Sequence, residues 1–103
     1  MNRIDFGNLI DDTWSAVHLL NKTKGSDYSG DEDALENFKR LATKLELTKE
    51  QVLGVYMTKH LDAIDTYIRE GNVKSEPIDG RIDDAIVYLI LLKAMVQEGH
   101  DKE

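Results

Sequence analysis

Between Asp5 and Glu98 the large apolar residues recur at three- and four-residue steps, and no stretch alternates convincingly with period two. That spacing lines side chains along one face of an α-helix, which leaves a strand-built fold without support. A first helix is expected from about Asp5 to Asn21, with Phe6, Ile10, Trp14, Val17 and Leu20 on one face. A second is expected from about Asp33 to Leu45 on Leu35, Phe38, Leu41, Ala42 and Leu45. Thr48-Lys49-Glu50-Gln51 is a capping-box pattern that opens a third helix running to about Glu70, with Gly71 as its stop. Leu53, Met57, Leu61, Ile64 and Ile68 form one stripe on it, and Val52, Tyr56, His60, Ala63 and Tyr67 a second beside it. The fourth is expected over Asp79 to Glu98, with Gly99 after it and residues 99–103 as a frayed tail. Its middle is apolar on every side, as in a helix at the centre of an assembly. Four helices with short connections predict an all-α four-helix bundle in a single domain, residues 1–103.

Composition narrows the function classes without choosing one. The chain has 103 residues, no Cys and a formal net charge of −7. Without Cys there is no disulfide framework, thiolate nucleophile or thiolate metal site. The acidity argues against non-specific binding to nucleic-acid backbones. The longest apolar run, Ala85 to Leu92, is eight residues, too short to cross a bilayer. The first residues lack the apolar core of a secretion signal, and the expected setting is cytoplasmic.

The charge is uneven. From Asp27 to Glu36 the chain carries five acids and no base, and Glu76, Asp79, Asp83 and Asp84 form a second cluster relieved by Arg81. Clustered carboxylates repel one another unless something neutralises them, and a hard cation does so through oxygen ligands. The plainer alternative is two solvated helix starts favoured by the helix dipole. Asp84 falls on the face of Tyr88, Leu91 and Met95, so its carboxylate enters a buried stripe and needs a partner. Arg81 or a Lys on another helix is one candidate; a divalent metal shared with Asp33 or Glu36 on the second helix is the other. Lys59 and His60 interrupt the third helix where apolar residues would otherwise continue. They read either as a surface pair of Lys59 with Asp62 beside a core-edge histidine, or as groups for an anionic substrate. A calcium loop starting at Asp27 fails, because Glu32 stands where the turn needs Gly and Phe38 where a bidentate Glu is needed.

Three segments together resemble small phage-type MazG-like proteins of the all-α nucleoside triphosphate pyrophosphohydrolase superfamily, including those termed nucleotide modification associated. They are Lys24-Gly25-Ser26-Asp27-Tyr28-Ser29-Gly30 with Glu36-Asn37-Phe38, Tyr56 to Ile64, and Ser75 to Leu89. The resemblance implies a MazG-like bundle, commonly dimeric, that binds a nucleotide and cleaves it with magnesium held by carboxylates on two helices. It would make Asp33, Glu36 and Asp84 metal ligands. Lys59 and Lys39 would contact phosphate, Asp27 and Tyr28 would line the nucleotide pocket, and Lys59 with His60 would serve the reaction. The chain departs from the family pattern, with no E-E-x-x-E segment and with Arg81 at the Glu position of E-x-x-D. Two non-enzymatic alternatives stand beside this reading. One is a small acidic phage protein that binds and inhibits a basic host protein; the other is a nucleotide sensor or sponge without turnover. In either case a homodimer is expected.

Overall fold

The computed structural model describes residues 1–21, 33–72 and 77–101, and these form four helices and no strand. Helix α1 spans Arg3–Leu20, α2 Glu36–Leu45, α3 Lys49–Glu70 and α4 Ile78–Asp101. The chain is all-α, as the periodicity requires. Helix α3 packs against both α2 and α4, while α1 lies on α4. No described helix is long and apolar enough to cross a membrane.

The helix ends follow from local chemistry. Asn2 opens α1, its side-chain oxygen accepting the Asp5 N–H at 2.8 Å. At α3 the Thr48 hydroxyl accepts from Gln51 N at 3.0 Å and the Gln51 side chain accepts from Thr48 N at 2.9 Å. This reciprocal box satisfies two N–H groups that the helix itself leaves without acceptors. Gly71 closes α3 with φ 82°, a left-handed conformation that a residue without Cβ adopts at little cost.

Two boundaries differ from those expected. Helix α2 begins at Glu36, not Asp33, because the Asp33 carboxylate accepts the Leu35 N–H at 2.9 Å and holds the chain in a turn. Helix α4 runs through Gly99 to Asp101 instead of stopping at Glu98. A glycine keeps its N–H, so it ends a helix only where the chain turns left-handed; inside one it costs about 1 kcal/mol relative to Ala.

The core forms where α2, α3 and α4 meet. Leu35, Phe38, Ala42, Val52, Leu53 and Met95 make one buried cluster, flanked by Leu41, Met57, Tyr88, Leu91, Leu92 and Ala94. Leu53 and Met95 are each 1% exposed, and burying such side chains contributes roughly 1.5–3 kcal/mol apiece. Phe38 meets Tyr56 edge-on, with centroids 6.1 Å apart. The expected stripes are covered unevenly: Leu45, Leu61, Tyr67 and Ile68 remain exposed. Helix α4 buries Ala85 and Met95 but leaves Ile82, Leu89, Ile90 and Val96 exposed, so its apolar middle is enclosed on one side. Helix α1 buries Val17 alone.

Helix α2 ends on Glu46, a non-glycine residue at φ 57° that sits where a Schellman-type cap places glycine. Leu47 N donates to Ala42 O at 3.0 Å across this turn. A side chain held in the left-handed region costs of order 1 kcal/mol. Replacing it, Glu46→Gly, should stabilise the fold by about 1 kcal/mol, read as a higher melting temperature in thermal unfolding followed by circular dichroism. An unchanged or lower melting temperature would show that the Glu46 side chain contributes more than its conformation costs.

Candidate functional site

The Thr48 cap fixes where α3 starts, and three turns later that helix delivers His60 to the seam with α4. Lys59, the next residue round the helix, is exposed. Across the seam, α4 supplies Arg81, Asp84 and Tyr88, which lie three and seven residues apart and so share a face. His60 is 6% exposed and Arg81 7%, both buried; the Asp84 side chain is 19% exposed. The His60 ring lies 5.4 Å from that of Tyr88, tilted by 33°.

The distances decide how His60 is used. Arg81 Nη1 stands 3.3 Å from His60 Nδ1, and Asp84 Oδ2 stands 3.8 Å from the same nitrogen. A guanidinium can only donate, so at the shorter contact Nδ1 accepts and the ring proton belongs on Nε2. At 3.8 Å the carboxylate is beyond hydrogen-bond reach and acts through charge alone. The site is therefore a buried cation on a neutral imidazole, with a carboxylate 3.8 Å from the same ring nitrogen.

A second polar group forms at the other end of α4. Lys39 Nζ reaches Asp33 Oδ2 at 2.9 Å and Glu98 Oε1 at 2.7 Å. These two acids, Glu98 most strongly, hold the Lys39 ammonium above its ordinary pKa. Its charge is thus committed to a clamp between the start of α2 and the end of α4. Glu36, one turn along from Asp33, is exposed.

Of the residues that the sequence marked for a site, His60 and Asp84 come together. Asp33 and Glu36 do not join them. Asp33 is tied through Lys39 to Glu98, which lies almost four turns of α4 from Asp84, on the order of 20 Å along the axis. Among the described residues no group of three or more His, Cys, Asp or Glu side chains is placed to hold a metal ion. Asp33 and Asp84 are therefore held apart in this arrangement. Asp27 and Tyr28, expected in a nucleotide pocket, lie outside the described residues, as do Asp31, Glu32 and Glu76.

Arg81 was expected as a candidate partner of Asp84, and it is itself a buried member of the site in contact with His60. The signal of its burial was present: Arg81, Ala85, Tyr88, Leu92 and Met95 follow one another at alternating four- and three-residue steps. Arg81, Ala85 and Met95 on that line are all buried. A reading that lets a charged residue stand on an apolar stripe would have found that burial.

No family model, curated protein or solved structure matches the chain.

Asp83, beside Asp84 on the flank of this seam, is half-buried, and its carboxyl is raised above the usual range by burial first and by the charges of Asp79 and Asp84 after it. The folded state then binds this proton more tightly than the unfolded state. Its contribution to stability falls as pH rises from the unfolded value near 3.9 through the raised folded value. Asp83→Asn should accordingly raise the melting temperature at pH 7, and the gain should vanish in melts recorded below that window. A loss of stability at pH 7 would mean that the Asp83 charge has a favourable partner.

Proposed function

We propose that this chain is a helical nucleotide-binding protein that holds the phosphate end of its ligand at the α3–α4 seam and does not turn it over. The supporting observation is the meeting, at one imidazole nitrogen, of two residues that the resemblance assigned to a nucleotide site, His60 and Asp84, with the buried cation Arg81. Arg81 supplies positive charge and hydrogen-bond donors for phosphate oxygens, and His60 a single neutral N–H donor. Asp84, the partly exposed member, would repel a bare phosphate. The ligand is therefore best taken up as its magnesium complex, with the ion arriving on the nucleotide and Asp84 as one oxygen contact. Magnesium in nucleotide sites commonly needs no more than one or two carboxylates. The tie of Asp33 through Lys39 to Glu98, far along α4 from Asp84, favours binding over hydrolysis.

The test is calorimetric titration with nucleoside mono-, di- and triphosphates of both sugar types, with and without magnesium, beside a pyrophosphate-release assay. The reading expects binding of a magnesium nucleotide, no release, and at least about a tenfold loss of affinity in Arg81→Leu, or about 1.4 kcal/mol. Asp84→Asn, which keeps the shape of the side chain, should bind with its dependence on magnesium abolished. Absence of heat with every nucleotide would remove this reading. It would leave docking to a basic partner protein, for which the exposed Glu36, Asp62, Asp65, Glu70 and Asp79 are the supporting surface.

A further inference from the structure

Helix α1 stands outside the core that the other three helices build. The buried cluster of Leu35, Phe38, Ala42, Val52, Leu53 and Met95 is drawn from α2, α3, α4 and the turn before α2. The polar seam of His60, Arg81 and Asp84 lies between α3 and α4 as well. Helix α1 packs on α4, and its contact face is short. Thr13, Ala16 and Leu20 are half-buried around the buried Val17, at the three- and four-residue steps of one stripe. Before Asp11, Gly7 alone is half-buried, and Phe6, Leu9, Ile10 and, beyond them, Trp14 are exposed.

We infer that α1 is a detachable strap, which opens from α4 as a unit while α2, α3 and α4 stay folded around their own core. A single helix in water has little stability of its own and depends on the apolar face it buries. Of the 18 residues of α1, one side chain, Val17, is buried. The bonds from Asp5 N to the Asn2 side chain and from the Ser15 hydroxyl to Asp11 O are internal to α1, so they travel with it when it lifts. Opening removes no member of the buried cluster and neither contact of the His60 ring with Arg81 and Asp84. Helix α3 has no such freedom, because it carries Val52, Leu53 and His60 and packs against both α2 and α4.

Elements that move ahead of global unfolding are those with the least buried apolar contact, and α1 is that element here. The helix beneath it, α4, is apolar at every position from Ala85 to Leu92. Opening bares Val17 and the α4 surface it covers, on a helix that already exposes Ile82, Leu89, Ile90 and Val96. The strap is thus a cover with two states. Closed, it hides part of α4; open, it presents that part, and the α3–α4 seam is intact in both.

Hydrogen exchange of the intact chain, read by mass spectrometry on peptides from each helix, tests this. Relative to their unprotected rates, α1 amides should exchange at least about thirtyfold faster than those of α3 around Leu53. Val17→Ala should speed exchange throughout α1 by about tenfold and leave α2, α3 and α4 unchanged. Trp14 is the chain's one tryptophan and lies on α1, so its fluorescence gives a second readout that needs no variant. In urea its emission should change at a lower concentration than the main loss of helix circular dichroism. Equal protection in α1 and α3 overturns the proposal, and so does a Val17→Ala effect shared by all four helices. A Trp14 transition coincident with the loss of helix also overturns it, as does an α1 without any protection, since no closed state would then exist.

Discussion

A guanidinium at a core position of α4 is the constraint around which the rest of the bundle is arranged. Arg81 stands at the head of the stripe that continues as Ala85, Tyr88, Leu92 and Met95, and it is as buried as the apolar residues below it. Taking such a cation out of water costs several kcal/mol unless hydrogen bonds and an opposite charge offset the loss. His60 provides an acceptor from α3, and Asp84, one turn along α4, brings a carboxylate to 3.8 Å from the same ring nitrogen. Both must be in place together, which ties the register of α3 to that of α4. Sliding one helix past the other would bury an unmatched cation.

That dependence explains why the two ends of the bundle differ in character. At the head of α4 the seam is polar and held by His60, Arg81 and Asp84. Farther along, Met95 closes the apolar cluster with Leu53 and Phe38, and Lys39 clamps Asp33 and Glu98 at its edge. The clamp is on the surface and contributes little, as exposed ion pairs do. The polar seam, in contrast, concentrates buried hydrogen-bonding capacity at one place, and such places are where ligands are recognised.

Much of this architecture was legible in the sequence because it rests on local rules. Thr48 with Gln51 and the final Gly71 marked α3 correctly, since caps depend on residues a few positions apart. Gly99 misled, because glycine composition alone does not fix a left-handed turn. The carboxylates were harder to place. Asp33, Glu36 and Asp84 have the right chemistry for one cation, but which turn of α4 faces the start of α2 depends on helix packing. Lys39 reaches Glu98, and that contact puts Asp33 near the far end of α4 from Asp84. Arg81 was legible as a candidate partner of Asp84, but its own burial and its contact with His60 depend on how α3 packs on α4. The open half of α1 could not be foreseen at all, since periodicity reports that a face is apolar and not whether anything covers it.

Acceptance by His60 Nδ1 from Arg81 fixes the tautomer of that ring. Nitrogen-15 NMR of the imidazole at neutral pH distinguishes the two ring nitrogens. A protonated Nε2 and an unprotonated Nδ1 are expected, with the Nδ1 signal altered in Arg81→Leu. A proton on Nδ1 would contradict it, since the histidine would then be serving the Asp84 carboxylate and the buried guanidinium would need another acceptor.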